Sequence, residues 1–177
     1  IVVDTPDAAR DADRLVLPGV GAFPEAMKNL RERDLVDAIV EKAQHQQTPL
    51  LGVCLGMQLL ATLGTEFDEC PGLNLIPGTV RRLESSDGGD RVPHMGWNQL
   101  TRQQASPLLE DVPEEKDFYF VHSFHFEPDD DSAIVATTPH CGGFASVIQN
   151  GNVFGTQFHP EKSQRAGFAL LGSFLSF

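Results

Sequence analysis

Cys54 lies in Gly52-Val53-Cys54-Leu55-Gly56, with a glycine two positions to either side. Small residues at that spacing permit the cramped backbone of a nucleophile elbow, in which a strand turns abruptly into a helix and the side chain at the turn projects alone. A helix N-terminus beyond the cysteine favours its thiolate through the dipole and the free backbone N–H groups. The amide of Leu55 is then placed to receive a developing oxyanion. Such a thiol needs a base to take its proton and return it to the leaving group, and the base needs an orienting partner. Gln157-Phe158-His159-Pro160-Glu161 offers both. In an extended segment His159 and Glu161 project to one side, and Pro160 restricts the backbone between them. A structural cysteine and a surface histidine beside a solvated glutamate are the bland alternatives, and each loses ground once the two motifs are taken as a pair.

Pro18-Gly19-Val20-Gly21 follows a strand pattern, so its backbone N–H groups are candidates to approach a substrate oxygen on the same rim as Cys54. As a dinucleotide loop it is poor, because Pro24 stands where Gly-x-Gly-x-x-Gly needs glycine. His122 and His125 form a His-x-x-His pair, but strand geometry sends them to opposite faces, and no metal site is expected. Cys70 and Cys141 sit in loops without a partner base and read as bystanders.

The elements that must position these residues follow from hydrophobic periodicity. Ile1-Val2-Val3 reads as a strand already under way, and Leu15-Val16-Leu17 as a buried strand ending in the glycine loop. Pro24 and Glu25 open a helix carrying Ala26, Met27 and Leu30, and Asp34 caps a second with Leu35, Val36, Ile39 and Val40. Pro49–Val53 returns to a buried strand, and Leu55–Leu63 is an apolar helix stopped by Gly64. This alternation predicts an α/β fold with a parallel sheet, helices on its faces and ligands at the carboxyl ends of the strands. From Val80 the texture becomes mainly β, with strands expected at Val80–Leu83, His94–Leu100, Phe118–Phe126, Ala133–Thr137, Ala145–Gln149 and Val153–Phe158. Asn150-Gly151 marks a hairpin between the last two. A closing helix capped by Ser163 is expected to pack Phe168, Leu171, Phe174 and Leu175 on the sheet.

The chain has 177 residues, enough for one substantial core, and residues 1–177 are read as a single domain. Thirteen basic against 25 acidic residues give a net charge of −12, which disfavours nucleic acid and anionic membranes as partners. Three scattered cysteines without a Cys-x-x-Cys pair suit a reducing, cytoplasmic setting.

Three stretches together, Pro18-Gly-Val-Gly, Gly52-Val-Cys-Leu-Gly-Met-Gln-Leu-Leu and Phe158-His-Pro-Glu-Lys-Ser, resemble a class I, triad-type glutamine amidotransferase domain over nearly the whole chain. Pro93-His94-Met95-Gly96-Trp97-Asn98 and Tyr119-Phe120-Val121-His122-Ser123-Phe124 draw the resemblance toward the glutaminase subunits of imidazole glycerol phosphate synthase, in histidine biosynthesis. The resemblance implies a flavodoxin-like open, mostly parallel twisted sheet with a mainly antiparallel β region. It implies Cys54, His159 and Glu161 as catalytic triad, with Gly19, Val20 and Leu55 forming the oxyanion hole. Gly21, Gly52, Gln58, Ser123 and Phe124 would hold L-glutamine. Ammonia would pass to a barrel-shaped cyclase subunit met by His94, Met95, Gly96, Trp97, Asn98, Tyr119 and Lys162. No cofactor is implied. Related glutaminase domains with other acceptors, and stand-alone γ-glutamyl cysteine hydrolases, share the triad. Members of the family open with a further strand and helix bearing a Gly-Asn segment, expected ahead of Ile1; a chain without that unit is expected to unfold with low cooperativity.

Overall fold

A computed structural model describes residues 1–85 and 89–177. In chain order the principal elements are α1 (Pro6–Arg10), β1 (Leu15–Gly19), α2 (Phe23–Glu32), α3 (Leu35–Val40), β2 (Leu50–Cys54), α4 (Leu55–Leu59), β3 (Leu63–Gly64), β4 (Cys70–Pro71) and β5 (Gly78–Arg82). There follow β6 (His94–Gln99), β7 (Thr101–Arg102), β8 (Asp117–His122), β9 (Phe124–Pro128), β10 (Ile134–Thr138), β11 (Phe144–Asn150), β12 (Val153–Thr156) and α5 (Gln164–Ser176).

The main sheet runs β1-β2-β12-β11-β10-β7. Its parallel part is β1, β2 and β12, and the remaining neighbours pair antiparallel. Alternate residues of its strands enter two apolar clusters: Leu50, Ile148 and Val153 meet α2, α3 and α4 on one face, while Leu51, Val147 and Phe154 meet α5 on the other. Helices thus cover both faces of an open sheet, as the alternation of the first third predicts. The hairpin forms where Asn150-Gly151 places it, with Gly151 at φ 56°.

Several expectations change. Ile1–Asp4 belongs to no strand, and β1 forms the edge of the main sheet, so Val16 is half exposed rather than buried. The helix after Cys54 stops at Leu59 instead of Leu63, because the returning chain captures its carbonyls: Leu73 N–H donates to Leu59 O at 2.8 Å and Leu75 N–H to Leu60 O at 2.9 Å. Phe118–Phe126 is two strands, broken at Ser123, whose carbonyl accepts from Leu83 N–H at 2.8 Å; β8 pairs with β6 and β9 with β5.

In α5 the buried face is Ala166, Leu170, Ser173 and Phe174, leaving Phe168 and Leu175 exposed. Gly167 sets this rotation, since a Cβ there would stand 1.8 Å from Pro160 O, so only glycine lets the helix sit on that carbonyl. Ser163 precedes the helix without capping it. Its hydroxyl donates to His159 O at 2.6 Å and accepts from Tyr119 N–H at 3.0 Å.

Two buried histidines bridge β6 and β8. The His122 Nδ1–H donates to Phe124 O at 2.8 Å, which leaves its Nε2 to accept from His94 Nδ1–H at 3.1 Å; Asn98 Nδ2 lies 3.4 Å from His94 Nε2. His140 stacks on His94 with ring centroids 4.0 Å apart and has Asp90 beside it at 3.7 Å. Burial lowers His94 to about 4 and His122 to about 3, with the neighbouring histidines adding to both.

Two outcomes follow for stability. A Cβ on Gly56 would lie 1.7 Å from Leu17 O, so Gly56→Ala should lower unfolding free energy by on the order of 3 kcal/mol in urea titrations, whereas Gly172→Ala, facing open space, should not destabilise. An unfolded chain protonates these histidines near 6.5, whereas the fold keeps them neutral. Stability is therefore full above that pH and is lost as pH falls toward about 4. The thermal midpoint should drop over that range, and replacing His94 and His122 together by glutamine should make the drop shallower.

Candidate active site

Because β1, β2 and β12 are parallel and in register, their carboxyl ends come together. Gly19 lies opposite Cys54, and Val53 lies opposite Thr156, directly before Gln157–His159. The glycine loop, the cysteine and the histidine, distant in sequence, therefore share one rim. Cys54 turns the chain with φ 54° and ψ −111°, a conformation rarely open to a side chain, and passes straight into α4. Close packing enforces the turn. A Cβ on Gly52 would stand 2.6 Å from Gly56 O, and one on Gly19 would stand 3.0 Å from Leu55 Cβ.

A cavity of about 370 Å³ opens at this rim. Cys54 and His159 form its reactive wall, with Val20, Gly21 and Leu55 on one side and Gln58, Glu66 and Val121–Phe124 on the others. His159 is held from three directions. Its backbone N–H donates to Tyr119 O at 2.9 Å, its carbonyl accepts from Ser163, and its Nδ1 lies 2.8 Å from Glu161 Oε1. A carboxylate only accepts, so Nδ1 carries a proton and Nε2 is the ring nitrogen left to exchange one. That Nε2 is buried with no hydrogen-bond partner among the described residues, and it belongs to the same cavity wall as the thiol. A neutral imidazole so oriented can accept a proton from the cysteine and pass it to a leaving group.

The thiolate expected from the helix dipole is not what the geometry favours. Burial pushes the Cys54 thiol up to about 11, with the Glu161 charge adding to it, against N–H donation from Leu55 and Gln157 and the charge of Lys162. Desolvation outweighs the groups that favour the charged form. The resting group is a thiol, and its proton must leave during reaction. The Leu55 N–H, expected at an oxyanion, also favours the thiolate in the resting site.

Of the residues expected to hold a substrate, Gly21, Gln58, Ser123 and Phe124 line the cavity. Gly52 does not: it is buried in β2 and serves the close packing against Gly56. The Phe124 carbonyl is already taken by Gln58 Nε2 and His122 Nδ1, so only other backbone groups of that segment remain for a ligand. Two residues escape sequence reasoning. Glu66 is the cavity's one carboxylate among the described lining residues, and it accepts from Phe23 N–H at 2.8 Å at the start of α2. Gln157 is fully buried with its amide nitrogen 3.8 Å from Cys54 Sγ. Glu66 has no spacing signal; Gln157 had one, its place two residues before His159.

Beside the cavity, Met95 and Trp97 project from β6 into solvent, Trp97 packs edge-on to Tyr119 at 5.8 Å, and Lys162 Nζ stands 5.8 Å from the Tyr119 ring. His94 is not part of this patch, because alternation along β6 turns it inward onto His122. No group of three or more metal-ligating side chains occurs among the described residues, and no described helix is long and apolar enough to cross a membrane.

Residues 3–174 match the glutamine amidotransferase class-I family. The imidazole glycerol phosphate synthase subunit HisH of Moorella thermoacetica is 46% identical over 98% of this chain and 80% of its own length. That of Ruegeria pomeroyi is 41% identical over the whole chain and 84% of its own length. Among solved structures, a glutamine amidotransferase superposes with a TM-score of 0.75 at 20% identity, covering 98% of this chain and 83% of the other. A glutamine amidotransferase from Thermotoga maritima gives 0.61 at 18% identity over 92% and 61%; both show the fold alone. With the elbow, the buried histidine and the glycine loop gathered on one rim, the chain belongs to the class-I glutamine amidotransferases and, within them, to the HisH subunits of imidazole glycerol phosphate synthase.

Proposed function

We propose that this chain hydrolyses L-glutamine to L-glutamate and ammonia, and that the ammonia passes to a barrel-shaped cyclase subunit forming imidazole glycerol phosphate and aminoimidazole carboxamide ribotide. The observation that carries this reading is the convergence, on one cavity, of an elbow cysteine, a histidine whose free Nε2 has no other partner among the described residues, and a carboxylate suited to an amino-acid ammonium. Membership of the HisH subunits supports the reaction and the partnership.

The Cys54 proton moves to His159 Nε2 as Sγ bonds to the side-chain amide carbon of glutamine. Glu161 holds the imidazolium. The tetrahedral oxyanion is received by the Leu55 N–H and the Gly19–Val20 peptide. Collapse breaks the C–N bond, and His159 gives its proton to the departing ammonia, leaving a glutamyl thioester. Water, deprotonated by His159, then attacks the thioester, the C–S bond breaks, and glutamate and the thiol are restored. Glu66 faces the α-ammonium of glutamine, Gln58 and the Ser123–Phe124 backbone border the rest of the ligand, and Gly21 leaves room for it. A thiol pushed up to about 11 makes the resting site slow, which suits an enzyme that should release ammonia only when an acceptor is engaged. Met95, Trp97, Tyr119 and Lys162 form the surface for that acceptor, with Gly96 and Asn98 on the same strand; Tyr119 reaches His159 through a single backbone hydrogen bond. A reducing cytoplasm keeps the three free cysteines available.

Glutamate release should rise strongly when the cyclase partner and its ligand are added, and Cys54→Ala should lower the stimulated rate at least about a thousandfold; stimulated activity surviving in Cys54→Ala would refute the mechanism. Glu66→Gln keeps an acceptor for Phe23 N–H but removes the charge, so KM for glutamine should rise about tenfold with kcat little changed.

A further inference from the structure

We propose that Gln157 is part of the nucleophile's machinery: its side-chain N–H donates to the Cys54 sulfur and favours the thiolate over the thiol. This rests on Cys54 being the nucleophile.

The amide's orientation is dictated by its neighbours. The Phe124 carbonyl can only accept, so the side-chain nitrogen of Gln58 must face it, at 2.9 Å. The second N–H of that nitrogen then points at an acceptor 3.1 Å away, which must be Gln157 Oε1. With its oxygen engaged, Gln157 turns its own nitrogen toward Cys54 Sγ at 3.8 Å. The chain of donors starts from the buried histidine His122, whose Nδ1–H braces the same Phe124 carbonyl. Gln157 is fully buried, its backbone N–H is tied to Ser146 O at 2.9 Å, and among the described residues its side-chain nitrogen has no acceptor other than the sulfur.

A thiol is a weak acceptor and a thiolate a strong one, so a fixed N–H favours the charged form. Burial and the Glu161 charge act the other way on Cys54. Leu55 N–H also favours the thiolate, but the mechanism needs that amide at the oxyanion. Gln157 has no second task at that moment and stays on the sulfur as the thiolate attacks, and again as it leaves the thioester.

Gln157→Glu keeps an oxygen for Gln58 and replaces the N–H with a carboxylate, whose charge also opposes the thiolate, so the uncharged Gln157→Met reads the loss of the donor without added charge. Gln157→Met removes both groups at similar volume, and circular dichroism checks that each variant folds. The readout is the rate of Cys54 alkylation by iodoacetamide against pH, followed by mass spectrometry of the Cys54 peptide so that Cys70 and Cys141 do not contribute. Both variants should react about tenfold more slowly at neutral pH, with the profile displaced about one unit upward. In the complex with the cyclase subunit, Gln157→Glu should lower kcat about tenfold and leave KM for glutamine within about twofold. Alkylation profiles that superimpose on the wild type, or a loss confined to KM, would overturn the proposal and reduce Gln157 to a brace for Gln58. Alkylation needs no substrate, so this result is independent of whether glutamine is the substrate.

Discussion

At Cys54 the backbone leaves β2 in a positive-φ conformation that a side chain rarely adopts, and the rest of the site depends on that turn being held. It is held by the near absence of free volume around it. Gly52 meets the carbonyl of Gly56, Gly56 meets the carbonyl of Leu17, and Gly19 meets Leu55, so β1, β2 and α4 are in backbone contact. Such contacts tolerate no added methyl group, and they transmit the position of the glycine loop directly to the cysteine. The short α4 follows from the same crowding, since its later carbonyls are taken by the chain returning through Leu73 and Leu75.

The electrostatics of the site are those of a group kept in reserve. Burial raises the thiol to about 11, while the His159 ring is fixed through Nδ1 by Glu161 and leaves Nε2 toward the cavity. Reaction requires proton transfer within the cavity rather than a standing thiolate, so modest rearrangements of N–H donors around the sulfur carry large consequences for rate. Glu161 works in both directions: it orients the imidazole and, by its charge, disfavours the thiolate nearby.

The exposed face of β6 and the buried face of β6 divide the labour between recognition and structure. Met95 and Trp97 reach solvent, while His94, on the opposite face, joins His122 in a neutral pair that ends on the Phe124 carbonyl at the cavity wall. Tyr119, under Trp97, holds the backbone of His159. The surface read as facing the acceptor subunit is thus built on the same strands that support the reactive wall.

The sequence alone determined the elbow, the His159-Pro160-Glu161 pair, the alternation of the first third and the hairpin at Asn150-Gly151, because each is written in local spacing and local backbone preference. It determined the family as well, through three motifs that keep their order along the chain. Only the tertiary structure decided which face of α5 is buried, where α4 ends, that β8 and β9 part at Ser123, and that His94 points inward. It alone placed Gly52 in the packing against Gly56, brought Glu66 to the cavity and set Gln157 beside the Cys54 sulfur. The division has one physical cause. Periodicity and turn chemistry act between residues a few positions apart, whereas desolvation of the thiol, capture of a carbonyl by a distant strand and the aim of a buried amide depend on groups that only folding brings together.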